Sequence, residues 1–146
     1  MASYHHIGKS QFKPTVKTTV TAIRRLKKVL GFEQIVCTGI SGQSIAWPVG
    51  YVTDIPVAVV RRKDEKNHHG YSVENFDRSR EFIILDDFVS SGDTVRHVLK
   101  SLGEDRRDDP QCVGVYCYSS SGAGHVTFNR RKYFVYSKTS KKARVE

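Results

Sequence analysis

The run D54-I-P-V-A-V-V60 closes on four consecutive apolar residues with no alternation. A strand with one wet face alternates polar and apolar residues. One that is apolar throughout must be covered on both faces, as inside a parallel sheet flanked by helices. E81-F-I-I-L-D86 and Q111-C-V-G-V-Y-C-Y118 read as further core strands. Q34-I-V-C-T38, short and rich in β-branched residues, reads as another.

Helical patterns lie between these runs. From Thr15 to Leu30 the apolar positions Val16, Val20, Ile23, Leu26, Val29 and Leu30 recur mostly every three or four residues, with Gly31 placed to cap the C-terminus. Val95, Val98, Leu99 and Leu102 predict a helix over 94–102. G39-I-S-G-Q-S44 reads as a glycine-punctuated turn, and Ile45 to Val52 as a helix with Ser44 as cap and Pro48 in its first turn. Residues 61–70 read as a charged exposed loop, Y71-S-V-E-N-F76 as a short strand or the loop's returning arm, and 103–110 as a polar connection. S119-S-S-G-A-G-H125 reads as a small-residue loop and R131-K-Y-F-V-Y136 as a last strand. The repeated order of strand, turn and helix predicts a single α/β domain with a mainly parallel central sheet flanked by helices. It spans residues 1–136, with a basic, flexible tail over 137–146; 146 residues suit one core and not two.

No apolar run reaches the roughly 18–20 residues needed to span a bilayer. The start M-A-S-Y-H-H-I-G-K lacks a secretory apolar core, so the chain reads as cytoplasmic with no membrane partner. Cys37, Cys112 and Cys117 are odd in number, lie in or beside apolar stretches and form no C-x-x-C pair, which points to buried thiols. The formal charge of +9 calls for an anionic partner, either nucleic acid or a polyphosphorylated small molecule. Much of the surplus sits in R24-R-L-K-K28, R61-R-K63, N129-R-R-K132 and the tail. The cations of the first helix read as a solvated face, with contact to a phosphate backbone as the sharper alternative.

The chemistry concentrates in F82-I-I-L-D-D-F-V-S-S-G-D-T94. In an open parallel sheet ligands sit at the carboxyl ends of the strands. Asp86 and Asp87 stand at such an end, where carboxylates accept hydrogen bonds from sugar hydroxyls or help place a hydrated magnesium ion. Gly92 permits a tight turn, and the N–H groups there, with the Ser90, Ser91 and Thr94 hydroxyls, suit a phosphate at a helix N-terminus. The Asp93 carboxylate must point away from that anion, capping its own backbone. Neither G-x-G-x-x-G after a strand nor G-x-x-x-x-G-K-[ST] is present.

This segment resembles the phosphoribosyl-pyrophosphate signature of the type I phosphoribosyltransferases: four apolar residues, two acidic, two apolar, then a Ser/Thr-and-Gly loop ending in Thr. The resemblance implies that Asp86 and Asp87 address the ribose hydroxyls and that Ser90, Ser91, Gly92, Asp93 and Thr94 wrap the 5′-phosphate. It also implies Mg2+, bound mainly through the phosphoribosyl pyrophosphate substrate, with no separate protein metal site. R62-K-D-E-K-N-H68 resembles the orotate phosphoribosyltransferase pattern R-K-x-x-K-x-H, although His69 here precedes Gly70. That implies a mobile lid in which Lys63, Lys66 and His68, beside Arg62, attend the leaving pyrophosphate, commonly across a homodimer. Cations where negative charge builds up, and a histidine able to protonate the leaving group, fit that chemistry.

G39-I-S-G-Q-S44 resembles the family's pyrophosphate-binding turn, with Ser41 and Gly42 as contacts. Ser41 stands where the family usually has Lys or Arg, which implies weaker pyrophosphate binding or different regulation. Enzymes acting on 6-oxopurines usually have an aspartate where this chain has Ser90. The resemblance therefore favours an orotate-like pyrimidine acceptor, then an adenine-type or other nucleobase. A non-catalytic nucleotide- or nucleic-acid-binding protein on the same fold is the other reading. The matched stretch is about 34–118.

Overall fold

The computed structural model describes residues 9–62, 72–119 and 122–138, with only the backbone of 9 and 10. In chain order the elements are α1 (Lys9–Leu30), β1 (Gln34–Thr38), α2 (Gly39–Thr53), β2 (Val57–Val60), β3 (Val73–Glu74), β4 (Phe82–Asp86), α3 (Asp93–Ser101), a 3₁₀ turn (Glu104–Arg106), β5 (Cys112–Cys117), β6 (His125–Phe128) and β7 (Arg131–Ser137). The strands form one seven-stranded sheet in the order β3-β2-β1-β4-β5-β7-β6. Its five central strands are parallel, and the edge strands β3 and β6 pair antiparallel to their neighbours.

Both faces of the sheet are covered, which is why the central strands lack alternation. Ile35, Cys37, Val57, Val59, Ile83 and Leu85 pack under α1 and α2 with Ile23, Leu26, Ile45 and Val49. Their strand neighbours Val36, Ala58, Val60 and Ile84 face the other way, onto Val95, Val98 and Leu99 of α3. The three thiols are buried. Burial pushes Cys37 up to about 12, and Cys112 higher still, so neither is a nucleophile at neutral pH.

Four elements differ from the sequence expectation. Helix α1 starts at Lys9, not Thr15, and carries Pro14 inside it. Residues 11–14 are exposed, so the turn before the packed stretch leaves no apolar periodicity to read. Gly31 ends the helix as expected, with φ +79° and its N–H donating to the Lys27 carbonyl at 2.9 Å.

Helix α2 begins at Gly39, directly after β1, and takes in the whole segment expected to be a turn. Ser44 is no cap: its hydroxyl donates to the Ile40 carbonyl inside the helix at 2.7 Å, and Pro48 sits well past the first turn. The glycines that suggest a turn are contact points with the sheet. A Cβ on Gly42 would lie 3.4 Å from both Cys37 Cβ and the Leu85 carbonyl, and one on Gly50 would lie 2.4 Å from Val57 Cγ2.

Strand β6 is additional, paired with β7 across a two-residue turn in which Asn129 and Arg130 have φ +50° and +65°. That mirror-image turn usually shows Asn-Gly or Asp-Gly, and Asn-Arg conceals it. The 103–110 connection contains a fully buried carboxyl, Glu104, which accepts from the Gln111 N–H at 3.0 Å and the Tyr133 hydroxyl at 3.2 Å. Residues 73–74 do form a strand. Strand β7 ends at Ser137, and residues 139–146 lie outside the described residues.

Candidate active site

Strands β1 and β4 are neighbours in register, Val36 opposite Ile84, so their ends at Thr38 and Asp86 lie side by side. From β1 the chain proceeds outward to β2; from β4 it proceeds to β5 on the other side. The helix after β1 covers one face and the helix after β4 the other. This is the point at which an open parallel sheet parts to leave a crevice beyond its carboxyl ends.

The β4 side supplies the carboxylates. Asp86 is buried, and its Oδ1 accepts the Asp87 N–H at 2.8 Å. Burial, reinforced by the adjacent Asp87, raises its pKa to about 7, with the Arg62 guanidinium pulling the other way. Asp87 is half-buried, and its Oδ1 accepts the Phe88 N–H at 2.8 Å. The two main-chain carbonyls fix this turn to the end of β5, accepting from the Tyr118 N–H at 3.0 Å and the Ser119 N–H at 3.1 Å.

Beyond them, Phe88 to Val95 and Asp86 line a cleft of about 50 Å³. Ser90, Ser91 and Thr94 are exposed. Gly92 takes φ +89°, and a Cβ on it would lie 3.0 Å from Val126 Cγ1. Ser91 Oγ accepts the Asp93 N–H at 3.3 Å. Asp93 does not cap its own backbone; its exposed carboxylate pairs with Arg96 at 3.2 Å. Arg96 has nearby acceptors in the carbonyls of Ser91 and Thr127, so the guanidinium serves as the bracket for the turn.

The β1 side supplies a helix N-terminus. Thr38 is extended, and its hydroxyl donates to the Val60 carbonyl at 2.6 Å, so it caps nothing. The N–H groups of Gly39, Ile40 and Ser41 are the ones for which a helix offers no acceptor. Ser41 is half-buried, Gly42 is buried behind it, and the Ser41 carbonyl accepts the Tyr118 hydroxyl at 3.0 Å. Gly39 has φ +71°, and a Cβ there would lie 3.3 Å from Arg62 Nε. Arg62 thus stands between the start of α2 and Asp86. Among the described residues no peptide bond is cis.

Arg62, Ser41, Asp86, Asp87 and the 90–94 turn are therefore brought to one end of the sheet. Lys63, Lys66 and His68 lie outside the described residues. Sequence reasoning missed Tyr118, which ties the two halves together, its N–H on Asp86 and its hydroxyl on Ser41. Its place just after a core strand beside β4 was the available signal. Among the described residues no three His, Cys, Asp or Glu side chains converge as a metal cage, and no helix is long and apolar enough to cross a membrane.

No protein-family model matches the chain, and no curated protein matches it. Solved structures do. The UMP synthase of Leishmania donovani aligns at 19% identity with a TM-score of 0.56, over 73% of this chain and 21% of that one. The purine phosphoribosyltransferase of Pyrococcus horikoshii aligns at 16% identity and TM-score 0.53, over 96% and 95%. The orotate phosphoribosyltransferase of Francisella tularensis aligns at 12% identity and TM-score 0.62, over 90% and 67%. The chain thus spans about a fifth of the first of these and nearly all of the second. Its seven-stranded, mostly parallel sheet with helices on both faces is the fold of the type I phosphoribosyltransferases.

Proposed function

We propose that the protein transfers ribose 5-phosphate from 5-phosphoribosyl 1-pyrophosphate to a nucleobase nitrogen, releasing pyrophosphate. The observation that carries this is the meeting, at the parting of β1 and β4, of an uncapped helix N-terminus and a carboxylate-serine turn. Two anion sites flanking a pair of sugar-binding carboxylates match a donor with phosphate at one end and pyrophosphate at the other.

The 90–94 turn holds the 5′-phosphate through Ser90, Ser91 and Thr94, with Gly92 giving the turn its path. Asp86 and Asp87 orient the ribose: each has one oxygen engaged by a backbone N–H, leaving the other for a hydroxyl or a metal-bound water. That donor set fits magnesium carried mainly by the donor's own oxygens, where it neutralises the leaving group's charge. The start of α2 and Arg62 receive the pyrophosphate, and Lys63, Lys66 and His68 close over it as it departs. Holding both substrates in line supplies much of the rate. An orotate-like pyrimidine is the favoured acceptor, on the strength of the lysine loop and of Ser90. Neighbours named for orotate and for purine share the fold, so the fold leaves the base open. A cytoplasmic homodimer with lids exchanged between subunits completes the reading.

Incubation with the donor, magnesium and each nucleobase in turn tests it. Pyrophosphate is released with at least one base, orotate first. Lys66→Ala lowers that release by about 100-fold, the scale of one lost transition-state contact. Silence with every base, while the donor still binds, would favour a nucleotide-binding protein that regulates without catalysing. The missing cation at Ser41 suits that second reading.

A further inference from the structure

Helix α1 carries seven of the chain's basic residues and no acidic one, against a surplus of nine over the whole chain. At 100° per residue, Lys13, Lys17, Arg24, Arg25 and Lys28 fall within one third of the helix circumference. All five are exposed, while Ile23 and Leu26 on the opposite face are buried in the core. The stripe from Lys13 to Lys28 is about 22 Å long at 1.5 Å per residue. Among the described residues none of the five forms an ion pair; the pairs found are Arg61–Glu74, Arg80 with Glu33 and Asp77, and Arg96–Asp93.

An ordinary solvated helix face mixes signs, because like charges four apart repel. Here Lys13 and Lys17, and Arg24 and Lys28, stand at that spacing with no acidic residue on the helix to offset them. A row of anions laid along the face relieves that repulsion. We infer that this face of α1 binds the phosphodiester backbone of a nucleic-acid duplex. The proposal is independent of the transferase reading, since the stripe lies on a helix that contributes nothing to the site described above.

The chemistry selects the partner. Stable binding of a helix in a membrane surface adds an apolar face that inserts, and that of α1 is already packed on the sheet. Sites for single strands stack bases on aromatic rings, and the one aromatic residue of α1, Phe12, lies off the stripe. A duplex backbone offers one charge per about 1.7 Å of axis, enough over the stripe to engage all five side chains. With no group positioned to read bases, binding is indifferent to sequence.

The test is fluorescence anisotropy of the full chain with a 20-base-pair DNA duplex of mixed sequence, the matching RNA duplex, and one DNA strand, from 50 to 200 mM salt. Binding to a duplex is expected, with log K falling against log salt at a slope of about −4.5 for five contacts. Lys17→Gln with Lys28→Gln lowers the slope to about −2.7. Arg130→Gln with Lys132→Gln, the same loss of charge on the β6–β7 hairpin, leaves it unchanged. Response to one duplex and not the other identifies the nucleic acid within the proposal. Absence of binding to either duplex, tighter binding of the single strand, or an equal loss of slope in both double variants overturns it.

Discussion

Gly92→Ala probes the phosphate turn where its backbone is most demanding. Gly92 sits at φ +89°, in the left-handed region, where a Cβ costs roughly 1–2 kcal/mol. The new methyl would also lie 3.0 and 3.1 Å from the two Val126 methyls and 3.3 Å from Arg96 Nη1. Val126 is buried and held in the β6–β7 ladder, so it yields little, and such overpacking costs roughly 1–3 kcal/mol. The sum, roughly 2–5 kcal/mol, lowers the melting temperature by roughly 5–20 °C in a domain of this size. The same strain pushes the turn off Val126, displacing Ser90 and Ser91 from the phosphate. Thermal unfolding and calorimetric titration with ribose 5-phosphate measure the two effects. Gly124→Ala is the control, because a Cβ there meets nothing within 4 Å. A Gly92→Ala protein that melts within a degree of wild type and binds ribose 5-phosphate equally well would refute the reasoning.

Asp86→Asn changes the pH dependence of stability. The carboxyl ionises near 3.8 unfolded and near 7 folded, chiefly through burial, so the folded state holds the extra proton between those values. Stability from this group is complete below about 3.8 and is lost as pH rises through 7. The variant should therefore melt above wild type at pH 8 and converge with it towards pH 5; parallel curves would contradict the assignment. Gly50→Ala should destabilise by roughly 1–3 kcal/mol in denaturant titration, because its Cβ meets Val57 Cγ2 at 2.4 Å and the Ile55 carbonyl at 2.8 Å. An unchanged midpoint would show that α2 does not pack so closely on β2.

The central strands are legible in the sequence because burial on both faces removes the alternation that could mislead, as at Val57–Val60. The carboxylates and hydroxyls of 86–94 are legible because they are consecutive, so their chemistry needs no tertiary contact to be seen. The start of α2 is not: a glycine required for close approach to Leu85 looks identical to one required for a turn. Tyr118 and Ser41 are 77 residues apart, and Glu104 is buried against Cys112 of β5 and Tyr133 of β7; neither relation has a local signature. Strand β6 hides because Asn129-Arg130 adopts positive φ without glycine.

The most direct measurement is amide hydrogen exchange with and without the magnesium complex of the pyrophosphate donor. If the parting of β1 and β4 is the donor's cradle, protection rises at 39–41 and at 90–94 together, since one molecule bridges both. Protection confined to one of these segments, or arising elsewhere while both exchange as before, would contradict the site.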